Sequence, residues 1–280
     1  MNLTDQFERV ADCIYGYLRP PHQFVEKLQP CQGFKSEAIN GLDRIKNWKG
    51  KTGLSWRLTN KILTQIEVFE GPKIRSLISK TVRERQDIFA DDNLFIMSFG
   101  ESAKSGEVIF YDFRHTEDFE KRFKLRNSSD IDKIPPKSRI VFVDDMIGTG
   151  TQSVAFITKK LYKLLSPSHR PCLFSICGTT KGIEHVRKKS GFEVVCAREL
   201  KEECCDFFHP ENKAFSEKEK QKLIALNALL GRNEFDLGLL MAFYYGTPNN
   251  TMPMIWKNGW QFTDANGKKD TWYALLPRKY

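Results

Sequence analysis

The sequence has 280 residues, 40% hydrophobic and 28% charged, an ordinary globular composition long enough for one large domain or two small ones. No run of ~18 apolar residues occurs, which excludes a helical membrane span, and the start, M-N-L-T-D-Q-F-E-R, lacks the basic-then-apolar pattern of a secretory leader. Seven cysteines without a framework spacing fit a reducing cytoplasm, and a net charge of +9 permits an anionic partner without identifying one. Residues 1–90 hold 15 Lys/Arg against 10 Asp/Glu, so the positive excess reads as spread rather than clustered.

Phe7, Val10, Ala11, Ile14, Tyr15 and Leu18 recur at i, i+3, i+4 and predict a first helix, stopped by Pro20-Pro21. Residues 22–52 are polar and weakly patterned. Trp56, Ile62, Leu63, Ile66 and Phe69 predict a second helix ending near Gly71-Pro72, and Ile74, Leu77, Ile78 and Val82 a third. This helical region, 1–90, does not read as part of a parallel sheet. Residues 93–99 read as a buried strand, followed by a polar loop, Gly100 to Gly106, and a second strand over 108–113. Residues 114–133 are charged, and their simplest reading is a solvated helix with Phe119 and Phe123 inward.

The stretch 139–152, R-I-V-F-V-D-D-M-I-G-T-G-T-Q, dominates the sequence. An apolar run, Ile140 to Val143, reads as a strand that ends in two carboxylates, Asp144 and Asp145. A tight turn with Gly148, Thr149, Gly150, Thr151 and Gln152 follows, and Val154, Ile157, Leu161 and Leu164 continue at helical spacing. Backbone N–H groups gathered at a helix N-terminus favour a phosphate, and glycines let the backbone approach it. Carboxylates beside such a cradle accept hydrogen bonds from sugar hydroxyls, directly or through Mg²⁺. The set suits a ribose 5-phosphate. No G-x-x-x-x-G-K-[ST] precedes the strand, and Met146 stands where a D-x-D phosphotransferase needs its second Asp.

Strands over 172–178 and 192–197 with a helix over 183–190 complete an α/β alternation, which predicts a doubly wound, mostly parallel sheet over 91–205. Cys196, Cys204, Cys205 and His209 lack C-x-x-C spacing and read as core or loop thiols rather than a zinc site. Ser216-x-x-Glu219 is a capping box opening a helix with Leu223, Leu226 and Leu230, and residues 235–245 read as a second apolar helix. The remainder of 206–280 is an irregular cap dense in Pro and Asn. There Asn249 and Asn250 have the groups to read a nucleobase edge and Trp256 the ring to stack on one; such residues more often lock a loop.

V-F-V-D-D-M-I-G-T-G resembles the ribose-phosphate motif of the type I phosphoribosyltransferases. The resemblance implies that Asp144 and Asp145 hold the ribose hydroxyls with Mg²⁺, and that the turn 148–152 holds the 5-phosphate. Many members carry Gly-Thr after the Thr-Gly; this chain has Thr151-Gln152, which shifts the side-chain hydroxyl by one. By the same resemblance, Gly100, Lys104, Ser105 and Gly106 stand where the family grips pyrophosphate, and residues 114–133 where it carries a flap. The helical N-terminal region, this core and P-N-N-T-M-P-M-I-W together resemble the phosphoribosyltransferase-like effectors of bacterial anti-phage systems, including some retrons. That implies a cytoplasmic effector acting on 5-phosphoribosyl 1-pyrophosphate or a related nucleotide, with a reverse transcriptase and its RNA/DNA as the partner of a retron effector. It leaves homo-oligomerisation open. The rival reading is a non-catalytic sensor of a phosphoribosyl ligand, and a third is a nucleic-acid-binding subunit.

Overall fold

The computed structural model describes residues 20–100, 105–116, 123–126, 128–231, 236–263, 267 and 269–278. The chain forms two compact units, one from Met1–Glu70 with Glu203–Tyr280 and the other from Gly71–Glu202. Against the expected segments 1–90, 91–205 and 206–280, residues 71–90 fall in the unit that holds 91–202, and the rest of the N-terminal part shares a unit with the C-terminal part. The helix expected over Phe7 to Leu18 lies outside the described residues.

The first unit opens with α1 (Pro20–Leu28), a 3₁₀ turn, α2 (Lys35–Ile39), α3 (Gly41–Thr52) and α4 (Trp56–Gln65). Residues 22–52, weakly patterned in sequence, are therefore mostly helical. Their buried side chains are sparse, about one per turn: Phe24 and Leu28, Phe34 and Ala38, Ile45 and Trp48. Ser55 caps α4 by accepting from the Leu58 N–H at 3.2 Å. The expected continuation of this helix to Phe69 is replaced by β1 (Glu67–Phe69), because a distant strand takes up its backbone.

The second unit runs α5 (Gly71–Glu84), α6 (Gln86–Phe89), β2 (Leu94–Ser98), α7 (Ser105–Arg114), β3 (Lys124–Leu125), β4 (Arg139–Ile147), α8 (Thr151–Lys159), β5 (Arg170–Thr179), α9 (Thr180–Ser190) and β6 (Glu193–Leu200). The five strands lie in the order β3-β2-β4-β5-β6, every pair parallel. All five residues of β2 are buried, as expected where helices cover both faces of a sheet. Ile157, Leu161, Ile183 and Val186 pack with Phe142 and Leu173. Phe174, pointing the other way, meets Phe89 and Phe113 edge-on.

The strand expected over 108–113 is instead α7. The run is apolar enough to be a buried strand, but Gly106, Ile109 and Phe113 form its buried stripe at helical spacing. Asp112 sits in that stripe, 1% exposed, where Arg75 of α5 reaches it at 2.9 Å. An apolar environment tolerates the carboxylate because the guanidinium neutralises it. Of the charged stretch 114–133, Phe123 is buried and Lys124–Leu125 pairs with β2; Phe119 lies outside the described residues.

The first unit resumes with α10 (Glu217–Leu229), β7 (Met241–Phe243), α11 (Pro253–Trp256) and an antiparallel hairpin of β8 (Trp260–Thr263) and β9 (Lys269–Trp272). The capping box is formed on both sides, Ser216 Oγ accepting from the Glu219 N–H and Glu219 from the Ser216 N–H. The helix expected over 235–245 is not present among the described residues of that span: Gly238 has φ +65°, and Met241–Phe243 pairs in parallel with β1. Trp48, Trp272, Phe215 and Leu276 lie in the core of this unit.

Candidate functional site

In the sheet, β2 has β3 on one side and β4 on the other, so the chain reverses direction of winding between β2 and β4. Such a switch point opens a crevice at the carboxyl ends of its strands, where open α/β sheets bind ligands. At those ends stand Gly100, Ser105 and Gly106 after β2, and the acid pair in the last part of β4 with the turn that follows it. An added Cβ on Gly106 would meet the Phe99 carbonyl at 2.1 Å, so α7 starts hard against the end of β2. Ser105, its first residue, directs Oγ to Asp144 Oδ1 at 3.4 Å. Two of the expected segments are thereby brought together. Lys104 lies outside the described residues.

The strand does not end at the carboxylates, as its sequence implies, but continues to Ile147. Its partner β5 runs as far, pairing Asp144 with Ser175, Met146 with Cys177 and Ile147 with Gly178. Asp144 and Asp145 are half-buried. The Asp145 N–H donates to Asp144 Oδ1 at 2.9 Å. Burial, and then the neighbouring charge of Asp145, raises the Asp144 carboxyl well above the usual carboxylate range.

That shift has a sign. The folded carboxyl holds its proton more tightly than the unfolded chain does, so stability falls as pH rises above ~4 and the full penalty applies above the raised native value. Asp144→Asn is therefore expected to melt higher than the wild type at pH 7, with the gap closing near pH ~4. Thermal melts at the two pH values measure it; an unchanged gap would mean that burial does not raise this carboxyl.

The turn is built by two clamped glycines. Gly150, with φ +77°, is the N-cap of α8, and a Cβ there would meet the Gly182 carbonyl at 2.6 Å. A Cβ on Gly182 would lie 1.9 Å from the Gly148 carbonyl. Thr179 ties these pieces: its Oγ1 donates to the Gly148 carbonyl at 2.8 Å and accepts from the Gly182 N–H at 3.0 Å. Thr179 and Gly182 thus support the turn, and neither is marked as a site residue by sequence alone. The T-T-K-G cap at the start of α9 is visible there, but not that it meets Gly148. Thr149 Oγ1 lies 3.1 Å from Thr151 Oγ1 and accepts from the Thr151 N–H at 3.4 Å, while Gln152 is exposed.

Asn249, Asn250 and Trp256 belong to the other compact unit. There the Asn250 carbonyl accepts from the Leu237 and Leu239 N–H groups, and the Trp256 Nε1–H donates to the Thr251 carbonyl at 2.7 Å. Both contacts lie within that unit, the first made by backbone and the second by the indole N–H.

The two carboxylates supply the hard oxygen donors that Mg²⁺ prefers. Among the described residues no group of three or more His, Cys, Asp and Glu is placed to hold a metal ion. A divalent cation at this pair would therefore take further oxygens from its ligand and from water, the usual habit of Mg²⁺.

The architecture is that of the phosphoribosyltransferase folds, a five-stranded parallel sheet with helices flanking it in sequence. The chain matches the family model described as PRTase-CE over residues 44–278 and belongs to that phosphoribosyltransferase-like family. No curated protein matches it. Solved structures similar to it include a hypoxanthine-guanine-xanthine phosphoribosyltransferase, 15% identical, covering 47% of this chain and 76% of that one with a TM-score of 0.32. The orotate phosphoribosyltransferase of Aeropyrum pernix is 21% identical, covering 45% and 69%, with a TM-score of 0.32. The xanthine-guanine-hypoxanthine phosphoribosyltransferase of Helicobacter pylori is 13% identical, covering 48% and 85%, also at 0.32. At these scores the family assignment rests on the family model. No helix among the described residues is long and apolar enough to cross a membrane.

Proposed function

We propose that the chain acts on 5-phosphoribosyl 1-pyrophosphate, or a related nucleotide, at ribose C1 with Mg²⁺, as a cytoplasmic effector of an anti-phage defence system. The observation that supports it most is the convergence at one switch point of the acid pair, the Thr-Gly turn and Ser105. Cleavage at C1 develops an oxocarbenium-like centre and needs no covalent nucleophile from the protein. It needs the sugar held still and the departing charge met. Asp144 and Asp145 would fix the ribose hydroxyls, and the N–H groups of 148–152 the 5-phosphate. The segment from Gly100 to Gly106 would face the pyrophosphate. Mg²⁺, when bound, would neutralise part of the leaving group's charge.

Non-catalytic sensing of the same ligand is the second reading, and the Thr151-Gln152 departure favours it, since the exposed Gln152 stands where many phosphoribosyltransferases carry a hydroxyl. If the chain serves a retron, the partner would be the reverse transcriptase with its RNA/DNA.

Titration calorimetry of 5-phosphoribosyl 1-pyrophosphate with Mg²⁺ tests the binding common to both readings. Wild type is expected to bind, and Asp144→Asn with Asp145→Asn to lose binding while remaining folded. Equal binding by both proteins would place the ligand elsewhere. Release of pyrophosphate over time then separates the effector from the sensor.

A further inference from the structure

The chain carries +9 overall, yet residues 146–192 hold 8 Lys/Arg against a single acidic residue, Glu184, a net +7 in 47 positions. The positive excess, which the N-terminal count made look spread, is concentrated here. From Met146 to Ile183 there is no Asp or Glu at all. In the fold this stretch is α8, β5 and α9, and the two helices pack side by side. Both begin at the phosphate turn, Gly150 capping α8 and Gly182 lying under Gly148, so their carboxyl ends lie together about 13 Å away along the helix axes. The Tyr162 hydroxyl donates to the Ser190 carbonyl and fastens the two ends to each other.

Lys159, Lys160, Lys163, Lys188 and Lys189 stand on this end and are all exposed. Lys188 meets Glu184 at 3.4 Å, whereas Lys159, Lys163 and Lys189 make no ion pair among the described residues. Tyr162 lies among them with 48% of its surface open. Cations complement the negative carboxyl ends of helices, which explains one or two in each last turn. It does not explain an acid-free run of 38 residues around them. A membrane surface would require several apolar side chains to insert beside the lysines; the face offers a single exposed leucine, Leu164, beside an aromatic ring with a fixed hydroxyl. Lysines tracking a backbone around an exposed ring are the features of single-strand binding.

We infer that the outer face formed by the carboxyl ends of α8 and α9 docks a single-stranded nucleic acid, the lysines meeting phosphates and Tyr162 offering a stacking surface. The surface is carried by charge and exposure and does not depend on the ligand of the acid pair. It is also too far along the helices to share groups with the turn.

Fluorescence anisotropy of a labelled single-stranded oligonucleotide of about 20 nucleotides with the full chain tests it, at about 50 mM salt and upward. Lys159→Glu, Lys163→Glu and Lys189→Glu combined is expected to weaken binding at least about ten-fold. The same triple is expected to flatten the log–log salt slope by about 2, because three phosphates go unneutralised. The charge-matched triple at Lys35, Lys46 and Lys80 is expected to bind far more nearly like wild type. No binding at low salt, equal loss in the two triples, a duplex bound as tightly, or polyglutamate competing as well as the oligonucleotide would each overturn the inference. Asp144→Asn with Asp145→Asn is expected to retain the oligonucleotide, and the lysine triple to retain 5-phosphoribosyl 1-pyrophosphate, so the two readings fail separately.

Discussion

Gly182→Ala is expected to destabilise the sheet unit by about 2–3 kcal/mol and to remove affinity for a 5-phosphate ligand. The methyl group would arrive 1.9 Å from the Gly148 carbonyl and 2.9 Å from Thr179 Oγ1. The first neighbour is backbone, so it cannot rotate aside as a long side chain would. Either α9 withdraws from the sheet or the turn shifts, and both break the Thr179 bond to Gly148. Alanine is otherwise the best helix former, so the change isolates the close approach from propensity. Urea denaturation measures the first effect and calorimetry with ribose 5-phosphate the second. Wild-type stability would mean that the packing of α9 against the turn is looser than these distances.

Phe174→Ala is expected to cost about 3–5 kcal/mol, the range for emptying a large buried ring site. Phe174 is fully buried in β5. Its ring meets Phe89 at 6.2 Å and 84°, and Phe113 at 6.1 Å and 88°, both edge-to-face. Those arrangements add to area burial because the positive ring edge meets a negative face. The neighbours are themselves held on α6, α7 and the sheet, so the cavity has little means of closing. Phe174→Leu keeps most of the volume and is expected to lose markedly less. Chemical denaturation of the two variants beside the wild type checks both; equal losses would mean that the size of the side chain left in the site does not matter.

The sheet was legible wherever the chain spoke through local composition. β2, β4, β5 and β6 are short, dense apolar runs bounded by polar or glycine residues, and their central residues fell where expected. The capping box of α10 was equally plain, since both partners lie within one turn. The failures share a cause. Residues 108–113 have a composition compatible with strand or helix, and the helix buries Asp112 beside Arg75, a partner 37 residues earlier that local reading does not supply. Met241–Phe243 reads locally as helix and becomes a strand because Glu67–Phe69 offers it an edge. The site divides the same way. The acid pair and Thr-Gly turn could be read directly, whereas Thr179 and Gly182 gain their meaning only when α9 meets Gly148 in space.

The discontinuity of the first unit bears on the order of events during synthesis. Residues 71–202 leave the ribosome before the second half of their flanking unit has been made. Glu67 pairs with Met241, so β1 waits for 174 further residues, about 10–35 s at ordinary elongation rates. The usual order, in which the earliest residues fold first, is therefore expected to be inverted: the sheet unit with its Gly148–Gln152 turn is made whole in the middle of translation, while α1–α4 still lack the C-terminal side chains that share their core.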